Sequence, residues 1–254
     1  MKQNFEYRNA AWDMLKADWQ GPVLLFFFYS IVIMLMSTVF GLIFSNIEVL
    51  SSLSSLAVEV FVAFPLAYLC LKEYVKFVRG GKIVISKDLV EPFKADYVRA
   101  IKVFGLSTVY SLLWMLLLII PGVIKSYAYC MAPYINMNNE NLTAEECINQ
   151  SMKLTDGYKM KLFLLDLSFI GWYILGFITL GIGLLWVAPY HYVARIMMFE
   201  DIMNAQAQVQ AQAIEEDSTQ IESKKPKFSW LKKKSDSTKT TKTTKKNKKA
   251  RVEE

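Results

Sequence analysis

Long apolar blocks separated by short basic stretches set the pattern of this chain. Residues 23–44, 56–71, 103–135 and 162–199 carry hardly any charge. A helix crosses the roughly 30 Å hydrocarbon core of a bilayer with about 20 apolar residues, each rising 1.5 Å. The last two blocks are too long for single crossings: a straight helix over 103–135 would run about 50 Å. Each is also interrupted, the third by Pro121-Gly122 and the fourth by TLGIG at 179–183, where Gly181 and Gly183 free the backbone. Proline removes a backbone donor and glycine admits turn conformations, so the chain is expected to reverse at both places; the alternative, four crossings with mere kinks there, needs two overlong helices. The predicted fold is all-α: a polytopic transmembrane helical bundle of about six spans in three hairpins. The spans fall near 22–44, 50–71, 103–120, 123–137, 162–178 and 182–200. A soluble fold would need a core of helices apolar all round, and this chain is too small to shelter so many.

Two further segments read as amphipathic surface helices. In residues 3–20, Phe5, Trp12, Leu15 and Trp19 recur at helical spacing while Arg8, Asp13, Lys16 and Asp18 lie mostly elsewhere on the wheel. That is an interfacial helix with tryptophan at the headgroups, ended by Gly21-Pro22. In residues 143–157, Thr143 and Glu146 form a capping-box pattern, Cys147, Ile148, Ser151, Met152 and Leu154 make a mostly apolar face, and Gly157 closes the helix. Orientation follows from charge. The loop 72–102 holds Lys72, Lys76, Arg79, Lys82, Lys87, Lys94, Arg99 and Lys102, whereas the connection around Asn46 and Glu48 holds no basic residue. Basic loops stay cytoplasmic, which puts the N-terminus inside. The C-terminus is placed inside by KKPKFSWLKKKSDSTKTTKTTKKNKKAR, with its twelve lysines and one arginine. The expected organisation is an integral domain, 1–203, and a low-complexity basic tail, 204–254, too polar to form a core and therefore disordered.

Composition sharpens the picture only in places. The chain is 54% apolar with a net charge of +6. Cys70, Cys130 and Cys147 stand apart, and His191 is the one histidine, so neither a disulfide framework nor a zinc site is predicted. There is no HExxH, GxSxG or P-loop; Glu145-Glu146 and Glu200-Asp201 are adjacent carboxylates at helix ends. No catalytic, cofactor or metal residue is assigned. Ionisable groups within spans draw more interest, because they usually face the protein interior. Glu59 shares a stripe with Ser52, Ser55, Ala63 and Ala67, which reads as a packing seam; Lys125 and His191 are the other candidates. Asp166 and Arg195 lie equally far from a turn centred at Leu180–Gly181, about 22 Å down their helices, and are expected to pair.

Several stretches together resemble the bacterial integral-membrane domain-of-unknown-function 975 family: PGVIKSYAYCMAPYI (121–135), NLTAEECINQSMKLTDGYKMKLFLLDLSFIGW (141–172) and LGIGLLWVAPY (180–190). The N-terminal helix and EPFKADYVRA (91–100) are similar too, so the resemblance covers 1–203. The succession of Pro-Gly, returning helix and surface helix is distantly similar to the membrane domain attached to some glycerophosphodiester phosphodiesterases, which is not their catalytic part. The resemblance implies a multi-pass bacterial membrane protein of unassigned activity, and no catalytic residues carry over.

The expected function is a non-catalytic scaffold or accessory in the cell (plasma) membrane that binds lipids or partner membrane proteins. The alternative is a small transporter or channel subunit using Glu59, Lys125, Asp166, His191 and Arg195. An anionic leaflet suits the lysine-rich tail at about 1 kcal/mol per basic residue, and tethering beside the membrane favours lipid over nucleic acid as its partner. The two functions separate on one feature: whether the intramembrane polar residues line a hydrated path or are paired and packed.

Overall fold

The computed structural model of the protein describes residues 2–45, 48–83 and 90–224. Every regular element among them is helical: α1 (Asn4–Ala17), α2 (Gln20–Ile43), α3 (Glu48–Val58), a π-helical turn (Glu59–Ala63), α4 (Phe64–Val78), α5 (Val90–Leu117), α6 (Ile119–Tyr129), α7 (Ala132–Asn138), α8 (Ala144–Leu154), α9 (Lys159–Ile178) and α10 (Leu184–Lys224). The chain divides into two units, Met1–Gln206 and Ala207–Glu254. Among the described residues, four helical stretches are long and apolar enough to cross a membrane: Gln20–Ile43, Ser52–Val78, Asp96–Leu117 and Lys159–Ile178. The fold is an all-α bundle of membrane-spanning type.

The apolar block 103–135 does turn back, but not at Pro121-Gly122. The reversal is made by one extended residue, Leu118 (φ −158°, ψ 133°), between α5 and α6. Pro121 and Gly122 already lie in the first turn of α6, where a missing N–H costs nothing because no partner exists for it. Gly122 has a different duty: a Cβ there would sit 2.6–2.8 Å from Met115, so only glycine lets α6 lie this close against α5. The returning arm is then broken a second time. α6 ends at Tyr129, a turn occupies Cys130 and Met131, and α7 begins at Ala132 with Pro133 in its first turn. EPFKADYVRA forms the start of α5.

Two other expectations need correcting. The stripe Ser52, Ser55, Glu59, Ala63 and Ala67 does not stay on one buried face: Ser52, Ser55 and Glu59 are exposed, while Ser54 and Val58 are buried above the π turn and Ala63 below it. A π turn adds one residue to the ladder, which shifts the phase so that the inward face passes from Val58 to Ala63. Tyr97 Oη donates to the Phe61 carbonyl at 2.8 Å within this turn. In α1 the side packed on the bundle is Tyr7, Ala11 and Leu15, while Phe5 and Trp12 stay exposed, as a helix at the membrane surface would have them. Finally, the tail is not uniformly irregular. α10 continues through residues 204–224, where NAQAQVQAQAIEE is rich in strong helix formers. The lysine-rich run beyond 224 lies outside the described residues.

The core runs through the base of the hairpins. Tyr7, Leu15, Leu25, Val75, Met131, Ile148, Leu165, Phe169, Val193 and Ile202 are all buried in one cluster. Beyond it the arms of the hairpins project with their apolar side chains exposed, for example Leu112 to Ile120 and Ile174 to Leu180.

Candidate functional site

The polar groups of the apolar helices converge on Asp166 of α9. One carboxylate oxygen, Oδ2, accepts from Tyr127 Oη of α6 at 2.8 Å; the other, Oδ1, lies 2.8 Å from His191 Nε2 of α10. His191 Nδ1 is 2.9 Å from Tyr173 Oη, and Phe169 stacks on the imidazole with centroids 4.5 Å apart. A neutral imidazole satisfies every contact: Nε2–H donates to the carboxylate, and Nδ1 accepts from the tyrosine hydroxyl. Arg195 Nη1 stands 3.7 Å from Asp166 Oδ2, with its guanidinium 5.7 Å over the Phe199 ring. Its Nε is buried without a hydrogen-bond partner. Side-chain exposures of 20% for Asp166, 16% for His191 and 29% for Arg195 put the network at the edge of the bundle, not in open solvent. Of the residues picked out by sequence, three therefore meet, and histidine is a closer partner of Asp166 than arginine.

Glu59 and Lys125 are not in this network. Glu59 is exposed at the start of the π turn, and Lys125 Nζ sits 4.9 Å over the Trp114 ring on the facing helix. Pro121 and Gly122 shape the α5–α6 reversal, while Gly181, at φ +85°, and Gly183 form the turn before α10. Tyr127 and Tyr173 were missed by sequence reasoning. Tyrosine inside an apolar run reads as packing or interface, and only the fold shows where its hydroxyl points.

A second polar layer closes the helix ends. α8 lies across the break between α6 and α7, and Ser151 fills it: its hydroxyl donates to the Ala128 carbonyl at 2.7 Å and accepts from the Met131 N–H at 3.2 Å. Asn136 of α7 accepts from Tyr68 Oη at 3.0 Å and donates to the Leu142 carbonyl at 3.2 Å. Ser151 and Asn136 are completely buried. Thr143 and Glu146 cap α8 reciprocally, with the Glu146 carboxylate accepting from Thr143 N–H at 2.8 Å; these bonds hold its carboxyl below the ordinary glutamate value. Arg79 joins Glu200 at 2.7 Å and Asn138 at 2.8 Å, Lys72 and Arg99 both reach Asp96, and Tyr7 Oη donates to Asp201 at 2.9 Å. Burial and the Asp201 contact push the Tyr7 hydroxyl well up, keeping it a donor. The Glu200-Asp201 pair is thus bound to α1 and the α4 end.

Among the described residues, no three His, Cys, Asp or Glu side chains gather as metal ligands would. Alongside the network, an apolar groove of about 420 Å³ runs between α6 and α9, lined by Ile119, Ile120, Val123, Ile124, Phe163 and Met160 with Lys159 at its edge.

A bundle whose long helices present apolar side chains outward and tie their charges to one another is a polytopic membrane-protein fold. Residues 83–206 match the family described as a protein of unknown function (DUF975). The matched range takes in the hairpins α5–α6 and α9–α10, the α8 clamp and the Asp166 network. No curated protein and no solved structure matches the chain.

Proposed function

We propose that the protein is a non-catalytic scaffold or accessory of the cell membrane, with both termini on the cytoplasmic side, that works through lipid and protein contacts on its outer surface. The observation that carries this reading is the pairing of Asp166. Its two oxygens are taken by Tyr127 and His191, and both imidazole nitrogens are engaged. A transport path needs ionisable groups that change partners with a permeating ion; here they join α6, α9 and α10 into one unit. The groove between α6 and α9, apolar along its length with Lys159 at the rim, has the chemistry of an acyl chain beneath an anionic headgroup. The lysine-rich tail adds attraction to the same anionic leaflet.

The test is flux. Purified protein in proteoliposomes, loaded with pH- and potassium-sensitive dyes, should pass no more protons or potassium than empty liposomes. Native mass spectrometry should retain anionic lipid on the same sample. A flux that disappears in Asp166→Asn would overturn the scaffold reading in favour of a transporter.

A further inference from the structure

The α9–α10 hairpin carries its most apolar residues at the place where a crossing helix pair would meet water. Phe177, Ile178, Leu180 and Ile182 are 68%, 71%, 93% and 61% exposed, and no charged residue lies between Asp166 and Arg195. Leu180 also has a positive φ of 55°, a conformation that disfavours any residue with a Cβ. A leucine kept there, touching almost nothing in the protein, has its use outside the protein.

The turn is compatible with an environment without water. Thr179, Gly181, Ile182, Leu184, Leu185, Trp186 and Val187 all donate their N–H groups to carbonyls within residues 175–183. Gly183 N–H donates to Thr179 Oγ1 at 2.8 Å, and that hydroxyl donates to the Gly176 carbonyl at 2.8 Å. Caps of this kind also end helices in water, but in hydrocarbon a turn has no other partner for these groups.

Depth agrees. Trp172 and Trp186 lie about 12 Å and 8 Å from the turn along their arms, and they meet Trp12, Trp19 and Tyr190 around one aromatic cleft of about 300 Å³. Tryptophan and tyrosine collect at the membrane–water interface. With that cleft at the interface, the turn reaches about 12 Å inward, short of the far side of a roughly 30 Å core. Asp166 and Arg195, about 22 Å from the turn, then lie at the headgroups instead of inside hydrocarbon. A full crossing would bring both charges well into the core. α2 offers the contrast: its 24 residues span about 36 Å, and its polar connection begins at the exposed Ser45.

We propose that the α9–α10 hairpin enters the bilayer from the side of its charged base and stops near the midplane, its Ile178–Ile182 tip embedded among acyl chains of that leaflet. This rests on the membrane-scaffold reading and specifies which surface meets lipid and how deep. The hairpin occupies one leaflet only, whereas α2 passes through both.

The full-length protein in sealed membrane vesicles tests it, with single cysteines introduced as Ser45→Cys, Leu180→Cys, Lys153→Cys and Val39→Cys, and the wild type measuring labelling of the native thiols. Ser45→Cys should react with an impermeant maleimide from one side and Lys153→Cys from the other. Leu180→Cys should react from neither, and a fluorophore attached there after detergent labelling and reconstitution should be quenched by lipids brominated deep in the chain. Labelling of Leu180→Cys from the Ser45 side would establish full crossing and overturn the proposal; labelling from the Lys153 side would place the tip in water and overturn it as well. Either result with Val39→Cys still quenched by lipid leaves the membrane reading standing. Loss of quenching at Val39→Cys and Leu180→Cys together would bring down both.

Discussion

Replacing Ser151 by alanine removes one hydroxyl and uncovers the break between α6 and α7. In the native fold that hydroxyl accepts from Met131 N–H at 3.2 Å and donates to the Ala128 carbonyl at 2.7 Å. Thr155 Oγ1 also reaches the same carbonyl, at 3.5 Å, so the carbonyl keeps a weak partner. The N–H does not, and Met131 is fully buried, so water cannot stand in without opening the helices. A buried donor left unsatisfied costs about 1–3 kcal/mol. For a unit the size of Met1–Gln206, each kcal/mol lowers the unfolding temperature by about 2–4 °C, which gives an expected fall of roughly 2–12 °C. Thermal unfolding of the purified protein in mild detergent measures it, with the exposed Lys153→Ala in the same helix as control. Ser151→Cys keeps a weak donor and acceptor in place and should fall between alanine and wild type. Amide exchange at Met131 should speed up in the alanine variant. An unfolding temperature and a Met131 exchange rate equal to wild type would refute the reasoning, because the hydroxyl would then not be holding the break.

Asp166→Ala should lower thermal stability more than Arg195→Gln, since the carboxylate has three partners and the arginine stands 3.7 Å away; equal losses would mean the arginine contact dominates. Gly122→Val should reduce stability by about 1–3 kcal/mol through forced overpacking against Met115, while Gly171→Ala, with open space around it, should be near neutral; the same detergent melts decide. The Glu146 carboxyl is held low by its bonds to Thr143, so its contribution is present above the unfolded-chain value of about 4.3 and is lost as pH falls through the lowered folded value. Hydrogen exchange of α8 between pH 3 and 6 should therefore show protection falling with acid in the wild type and a flatter profile in Thr143→Ala; identical profiles would remove the capping box as the cause.

Much of the helix plan was legible because hydropathy and turn residues agree over long runs. The boundaries of α2, α8 and α9 follow from apolar length, the Thr143–Glu146 box and Gly157. Asp166 and Arg195 were found by counting from the turn, which works when two antiparallel helices share one reversal. His191 beside Asp166 was not found that way, because depth along a helix says nothing of rotation about it. The π turn at Glu59–Ala63 was equally hidden: propensity does not signal an inserted residue, and without it the small-residue stripe looks continuous. Pro121 misled on position for a physical reason, since proline marks the first turn of the new helix as readily as the reversal itself. The side of α1 that packs on the protein was hidden because Tyr7 and Ala11 carry little apolar weight, yet Tyr7 buries its ring and gives its hydroxyl to Asp201.

The placement of these polar groups bears on where function resides. Every short or broken element in residues 118–157 is completed by a specific side chain: Ser151 at the α6–α7 break, Asn136 on the α7–α8 connection, Thr143 at the start of α8. Higher along the arms, Asp166, His191, Tyr127 and Tyr173 bind α6 to α9 and α10. A chain that commits its buried hydroxyls, amides and charges to its own helix ends keeps few of them for a bound polar solute. Its outward surface is correspondingly uniform, with leucine, isoleucine and phenylalanine on the projecting arms and aromatic residues nearer the base. Under the scaffold reading proposed above, specific recognition by such a surface has to come from shape, depth and the charged base, the terms in which it would meet lipids and neighbouring helices.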